Sequence, residues 1–240
     1  METCCFITTY HRKDCEYSSF SFKCVCDEKT GINKNEEYFQ NGGKKEGIFK
    51  RYYRNGQIEE EVNYIDGKEN GIYKKYWGDG QIYSEVNYID GKRNGALKSY
   101  HPNGQIHEKI NYIDGKVNGI YKSYYWDNGK IYEEVNYIDD KRNGIYKSYH
   151  DNGKICEEVN YIDGKRNGLY KKYWYNGQLW EEVNYIDNKR NGIYKLYYED
   201  GQIWEKANYI NDKLNGIYKS YSSNGEIIEI CNYINDKKVE

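Results

Sequence analysis

The stretch NYIDDKRNGIYKSY, from Asn136 to Tyr149, decides the fold because near copies of it recur along the chain. The other copies start at Asn63, Asn87, Asn111, Asn160, Asn184, Asn208 and Asn232. Counted from the glycine before Ile-Tyr-Lys, the repeats begin at Gly47, Gly71, Gly95, Gly119, Gly144, Gly168, Gly192 and Gly216, so the period is 24 residues and once 25. A fixed period of this kind is typical of an array in which each repeat packs on its neighbours.

Each repeat alternates short runs rich in Tyr, Ile and Val with turn residues, a pattern typical of β-strands. Its approximate consensus is GIYKSYWDNGQIYEEVNYIDGKRN, with the glycine as the first position. The ninth and tenth positions are Asn-Gly or Asp-Gly in every copy, which predicts a two-residue type I′ hairpin turn. The single extra residue falls between Tyr124 and Gly129, beside this turn, where an insertion leaves strand pairing intact.

A two-residue turn fixes the strand register. In the repeat from Gly144 it pairs Tyr146 with Val159 and Tyr149 with Cys156. The second connection, Asp-Gly-Lys-Arg-Asn-Gly, is predicted to be longer and less strict, because its glycine is replaced by Asp or Asn in several copies.

The predicted fold class is all-β: an elongated single-layer antiparallel meander of tandem β-hairpins with a short irregular N-terminal segment. Neither predicted face is apolar enough to be sealed under a second layer, and no segment shows a helical period. We predict three parts: a cysteine-containing segment over 1–36, a degenerate capping half-repeat over 37–46, and eight tandem repeats over 47–240.

Charge and hydropathy exclude several classes of protein. The chain has 36 Lys plus Arg against 38 Asp plus Glu, interleaved in every repeat, which argues against an electrostatic interaction with nucleic acid. The first residues lack the apolar run of a secretory signal, and no stretch of 18 apolar residues occurs. The sequence therefore predicts a soluble, cytoplasmic protein.

The segments N-Y-I-D-G-K-R-N-G and N-G-Q-I, with a tyrosine-rich strand between them, resemble the MORN repeat. The likeness is closest to the variant found in bacterial antitoxin-like proteins and large DNA viruses. This resemblance implies a β-hairpin array that serves as a scaffold or docking surface, with membrane association in some members and no enzyme activity. Glu157, Val159 and Tyr161 stand where the usual pattern has Tyr, Gly and Trp, so the resemblance identifies no particular ligand.

Five of the seven cysteines precede the repeats: Cys4, Cys5, Cys15, Cys24 and Cys26. Thiolates with the nearby His11 are the usual ligands of zinc. However, no C-x2-C pair occurs, and the spacing of Cys24 and Cys26 is too tight for a zinc knuckle. We therefore predict reduced thiols, with zinc as the weaker alternative.

A catalytic site needs a constellation of residues that departs from the repeat. His101, His107, His150 and Cys156 do depart, but at positions where other copies place Trp, Tyr or Ser. Adjacent glutamates such as Glu133-Glu134 point to opposite faces of a strand. The sequence thus predicts no enzyme activity and no cofactor.

The candidate binding residues are tryptophans at or near the seventh and thirteenth positions, close to the predicted turn: Trp77, Trp126, Trp174, Trp180 and Trp204. The type I′ register places these two positions on opposite faces. Variable aromatic residues on a repeated framework form recognition surfaces, although they also serve simply to cover a sheet. We predict a scaffold that binds a protein partner, with phosphoinositide membrane association and antitoxin-like neutralisation of another protein as alternatives.

Overall fold

A computed structural model describes residues 19–26 and 33–239, and every regular element in this part of the chain is a β-strand. The chain divides into two units, Met1–Lys116 and Val117–Glu240. No helix in the described ranges is long and apolar enough to cross a membrane. The predicted all-β class and hairpin meander are confirmed, since sequential strands pair antiparallel within each unit.

The strands of unit 1 are β1 (Ser19–Cys26), β2 (Asn33–Asn41), β3 (Lys44–Tyr52), β4 (Ile58–Ile65), β5 (Lys68–Glu69), β6 (Gly71–Tyr76), β7 (Ile82–Ile89), β8 (Lys92–Arg93), β9 (Gly95–Tyr100) and β10 (Ile106–Ile113). Part of the segment predicted to be irregular is therefore strand, because β1 pairs with β2 from Ser19↔Gln40 to Cys26↔Asn33. The predicted boundaries at residues 36 and 46 stay predictions.

The strand β11 (Lys116–Val117) lies at the division between the units. The strands of unit 2 are β12 (Gly119–Tyr124), β13 (Ile131–Ile138), β14 (Lys141–Arg142), β15 (Gly144–Tyr149), β16 (Ile155–Ile162), β17 (Lys165–Arg166), β18 (Gly168–Tyr173), β19 (Leu179–Ile186), β20 (Lys189–Tyr197), β21 (Ile203–Ile210), β22 (Lys213–Leu214), β23 (Gly216–Tyr221), β24 (Ile227–Ile234) and β25 (Lys237–Val239).

The two connections of each repeat have the opposite character to the one predicted. The Asp-Gly connection is the strict two-residue turn: Ile162 pairs with Lys165, and Asp163 and Gly164 have φ of 51° and 81°. Positive φ at both central residues is the mark of a type I′ turn. Asp140 holds the glycine place with φ 66°, which Asp tolerates, so the substitutions do not loosen this turn.

The Asn-Gly connection is the longer one. Gly153 N–H donates to the His150 carbonyl at 2.8 Å, and Gly153 has φ 88°, whereas Asn152 does not have a positive φ. This combination is typical of a type I turn followed by a left-handed glycine. Asn152 instead uses its side chain, whose Oδ1 accepts from Lys154 N–H at 2.8 Å. The predicted type I′ turn at this position is therefore wrong.

The greater length of the Asn-Gly connection shifts the strand register beside it. Tyr146 pairs with Val159 as predicted, but a register shift follows Ser148 and Tyr149 pairs with Ile155 rather than with Cys156. The same shift occurs at the corresponding place in other repeats of both units. The thirteenth residue therefore lies inside a bulge.

One face of each unit carries the core. The sixteenth-position valines are nearly inaccessible, from 4% exposed at Val86 to 0% at Val183. Tyrosine rings cover them, as in the edge-on pair of Tyr170 and Tyr185 with centroids 5.8 Å apart. The isoleucines of the second and nineteenth positions lie on the opposite face and are about half exposed. Within the described ranges, a single layer thus buries one face without a second sheet.

Candidate functional site

The aromatic residues of the seventh and thirteenth positions contact each other at the hairpin tips. The ring centroids of Trp174 and Trp180 are 5.0 Å apart, and those of Tyr198 and Trp204 are 5.8 Å apart. Trp77 packs on Tyr83 in unit 1 at 4.6 Å. The predicted placement of the two positions on opposite faces is therefore wrong. The bulge beside the turn is the physical reason, because it rotates the thirteenth residue onto the face of the seventh.

The seventh residue holds neighbouring repeats together. Trp174 Nε1–H donates to the Tyr197 carbonyl at 3.3 Å, and Tyr125 donates through its hydroxyl to the Tyr149 carbonyl at 2.7 Å. Both bonds reach the next repeat. Trp77 differs, because its Nε1–H is buried without a partner among the described residues. The seventh position thus has a structural role.

In the pairs Tyr125–Tyr132 and Tyr198–Trp204 the thirteenth residue is exposed and the seventh is half-buried. Tyr132 is 48% exposed and Trp204 is 43% exposed. Trp180 is partly exposed, with the Lys172 ammonium 4.2 Å from its ring centroid. We name Tyr132, Trp180 and Trp204 the outer rings of unit 2. They lie in repeats of one sheet and combine apolar area with restricted rotamer freedom.

Trp126 lies in the turn and not at the seventh position. Its turn contains the extra residue of the sequence, because Gly129 N–H donates to the Tyr125 carbonyl, one residue further back than in other repeats. Tyr125 takes the seventh place and packs on Tyr132 with centroids 5.1 Å apart. The predicted site of the insertion is confirmed. Trp126 is 67% exposed beside these rings.

The residues considered for catalysis replace members of the ring pairs. The His101 and His107 rings are 4.6 Å apart, and His107 Nδ1 lies 3.4 Å from the Ser99 hydroxyl. His150 Nε2 lies 3.2 Å from the Tyr173 carbonyl, the contact that Tyr125 makes elsewhere. These histidines therefore take the structural places that other repeats give to Tyr or Trp.

The adjacent glutamates separate as predicted. The Tyr146 hydroxyl donates to Glu133 on the core face at 3.1 Å. On the other face, Tyr149 donates to Glu134 at 2.6 Å, and the Lys122 ammonium lies 3.0 Å from the same carboxylate. The hydrogen bond from Tyr149, followed by that from Lys122, lowers the pKa of Glu134. Each carboxylate thus links neighbouring strands.

The described ranges contain no group of three or more His, Cys, Asp or Glu side chains placed to hold a metal. Of the five predicted alternative ligands, Cys4, Cys5 and Cys15 lie outside the described residues. Cys24 and Cys26 lie in β1, where the structure describes only the backbone.

Comparison with protein families agrees with the repeat geometry. The family model of the MORN repeat variant matches eight segments: 45–66, 69–90, 93–114, 118–139, 142–163, 166–187, 190–211 and 214–235. The chain belongs to this MORN repeat family. The predicted resemblance is confirmed at this level. No curated protein matches the chain.

Solved structures similar to this MORN repeat chain include a crystal structure of TarM and a mutant of S. aureus TarM in complex with fondaparinux, alpha-GlcNAc-glycerol and UDP. Each is 15% identical, with a TM-score of 0.28 over 40% of this chain and 19% of the other. The chain thus matches less than a fifth of their length, and a likeness this low carries no functional argument.

Proposed function

We propose that this MORN repeat chain is a non-enzymatic scaffold that binds a partner protein through the outer rings of unit 2. The observation that carries the proposal is a difference between the two rings of a pair: the seventh residue bonds to the next repeat, and the thirteenth residue is exposed to solvent. Tyr198 is bonded to the next repeat through its hydroxyl, which donates to the Tyr221 carbonyl at 2.9 Å, whereas its ring partner Trp204 presents 43% of its surface to solvent. Exposed, well-positioned aromatic rings are the residues that most often anchor protein interfaces.

The spacing of the outer rings indicates the form of the partner. Consecutive repeats are two long strands apart, so Trp180 and Trp204 are separated by about 10 Å at the usual strand spacing, and Tyr132, two repeats before Trp180, lies about 20 Å from it. A segment in the polyproline II conformation turns once every three residues and rises about 3.1 Å per residue, so apolar side chains at every third position point the same way about 9 Å apart, close to the interval between consecutive repeats. The proposed partner is therefore a protein that presents an extended segment with regularly spaced apolar side chains.

The absence of catalysis is part of the proposal. His107 and His150 contact Ser99 and the Tyr173 carbonyl at places that support the sheet in other repeats. The acidic pairs are divided between faces by Tyr146 and Tyr149. These contacts give the departing residues structural roles. The antitoxin-like alternative stays a prediction, as does membrane association.

Quantitative capture from the native host's cytosol tests the proposal, with the wild-type chain beside two variants. Tyr132→Ser with Trp204→Ser removes exposed rings, and Ile193→Ser with Ile217→Ser is the control on the opposite face, where both residues are more than half exposed. The proposal expects a saturable partner that the ring variant loses at least tenfold and the control retains. Flotation with phosphoinositide liposomes that depends on the rings, without protein capture, would instead establish the membrane alternative.

A further inference from the structure

One junction between repeats lacks a polar pair that the other junctions keep. Elsewhere the fourteenth position is Glu and the third position of the next repeat is Tyr. The structure shows the pair bonded, with Tyr73 donating to Glu60 at 2.5 Å and Tyr146 donating to Glu133 at 3.1 Å. At the exceptional junction Ser84 replaces the glutamate and Leu97 replaces the tyrosine. Two complementary groups have thus been removed together.

An open recess of about 480 Å³ lies at this junction in unit 1. Its apolar lining includes Val62, Val86 and Leu97, which are 3%, 4% and 9% exposed. The rings of Tyr73, Tyr88 and Tyr112 also line it. Sites for small molecules commonly have volumes of about 300–1,000 Å³, apolar linings and a few polar groups. The recess has the size of such a site and a more polar lining, which includes Lys75 and Arg93.

The recess lacks an aromatic ring that other repeats supply. Tyr170 packs edge-on against Tyr185, and the Arg166 guanidinium lies 5.6 Å and 5.5 Å from these two ring centroids.

In the repeat with the recess, Arg93 lies 5.3 Å from the Tyr112 ring centroid, but Leu97 offers no second ring. The Arg93 guanidinium is also fixed by hydrogen bonds to the Tyr88 hydroxyl at 3.2 Å and the Tyr112 hydroxyl at 3.3 Å. A ligand ring in the place of the missing tyrosine would contact both the guanidinium and Tyr112.

The recess also lacks the carboxylate that the fourteenth position supplies in other repeats. Lys75 pairs across the strands with Ser84, whereas the corresponding Lys172 faces Glu181. Glu60, on the other side of Lys75, accepts from Tyr73 at 2.5 Å and lies 2.9 Å from Arg51. Within the described part of the chain, no carboxylate lies within ion-pairing distance of the Lys75 ammonium. A ligand carboxylate would restore the missing negative charge.

We propose that this recess binds a small aromatic carboxylate. The ligand ring takes the place of the missing tyrosine ring, beside Arg93 and Tyr112. Its carboxylate takes the place of the missing glutamate, beside the Lys75 ammonium and the Ser84 hydroxyl.

Three carboxylates line the recess: Glu60, Glu69 and Glu108. Glu60 lies across the strands from Lys75 but is already paired with Arg51 and Tyr73, and Glu69 accepts from the Tyr64 hydroxyl at 3.2 Å. Glu108 on β10 lies three strands from Lys75 on β6, a separation of about 14 Å.

The test is titration of the full chain with 3-phenylpropionate, in which binding is measured by amide chemical shifts and by calorimetry. Saturable binding in the millimolar range or tighter is expected, with shifts centred on Ser84 and Leu97. Two matched probes each lack one group: 3-cyclohexylpropionate has no aromatic ring and 3-phenylpropanol has no charge. Each is expected to bind at least fivefold more weakly, and equal binding of either probe would overturn the proposal.

Variants that exchange the two kinds of junction give the decisive comparison. Ser84→Glu with Leu97→Tyr restores the repeat pattern and is expected to abolish binding without loss of strand content. Lys75→Gln is expected to weaken binding of 3-phenylpropionate about tenfold while leaving 3-phenylpropanol unaffected. In the reverse direction, Glu181→Ser with Tyr194→Leu is expected to create a second site, because Lys172 and Arg190 hold the places of Lys75 and Arg93 there. Unchanged affinity in the restored variant, or no saturable binding by the wild type, would refute the site.

Discussion

Truncation of one core valine tests whether the single sheet buries one face and leaves the other exposed. Val183 is 0% exposed and belongs to a cluster with Val159, Tyr161 and Tyr170. Val183→Ala removes two methyl-sized groups, and at about 0.8 kcal/mol for each the transfer loss is about 1.6 kcal/mol. The space left behind adds several tenths, so the expected loss of unfolding free energy is about 2 kcal/mol.

Ile193→Ala is the matched control on the opposite face. It removes more carbon than Val183→Ala, but Ile193 is 53% exposed, so the expected loss is below about 0.5 kcal/mol. Urea unfolding followed by far-UV circular dichroism measures both losses. Hydrogen exchange at the Tyr194 amide provides a local measure, because Tyr194 pairs with Val183. Equal losses, or a larger loss for Ile193→Ala, would refute the assignment of the core face.

The remaining predictions concern the turns, the loss of stability at low pH and the seventh position. Gly153→Ala is expected to lower the free energy of unfolding by about 1–2 kcal/mol, because it forces a side chain into a backbone with φ 88°. Asp140→Gly, in a turn that accepts either residue, should change it by less than about 0.5 kcal/mol. Thermal melts that show the reverse order would refute the turn assignment. The pKa of Glu134 is lowered by the hydrogen bond from Tyr149, so this stabilisation is present above the unfolded pKa of about 4.3 and is lost as pH falls through the folded pKa. Tyr149→Phe should therefore reduce stability at pH 7 by about 1 kcal/mol and flatten the pH–stability curve below pH ~4.3; an unchanged acid limb would contradict it. Trp174→Phe keeps an aromatic ring of smaller area and loses the indole donor, so a cost of at least about 1 kcal/mol in urea unfolding is expected; no cost would be the contrary result.

Much of the fold was predictable because the repeat reports strand length and pairing many times over. The pairing of Tyr146 with Val159 followed from sequence alone and is confirmed. The position of the insertion followed as well, since a turn absorbs one extra residue without disturbing strand pairing. These features depend on local pattern, which a sequence contains in full.

The turn types were not predictable from the dipeptides alone. Asn-Gly favours a type I′ turn when positive φ is the deciding property. Here the Asn152 side chain decides, because it bonds to Lys154 N–H and, through Nδ2, to the Tyr175 carbonyl of the next repeat at 3.0 Å. A contact between repeats thus helps to select the turn type, and the conformational preferences of the two turn residues do not reveal that contact. The error in turn type then placed the ring positions on the wrong faces.

The recess is a feature whose residues are visible in the sequence but whose meaning depends on the structure. The replacements at Ser84 and Leu97 are visible in the sequence, but they acquire meaning only when the structure shows that Glu60 and Tyr73 are bonded at the corresponding junction. A paired departure from a repeat is a signal that sequence analysis can search for once the contact is known.

Site-specific photo-crosslinking tests the central claim, that a partner protein docks on the outer rings of unit 2. A photoreactive amino acid is placed at Trp204, and in a separate sample at Ile193 on the opposite face, before incubation with native cytosol. We expect a covalent adduct with one partner protein from position 204 and none from position 193. An adduct of that partner from position 193 alone, or equal yields from both positions, would contradict the proposed docking surface.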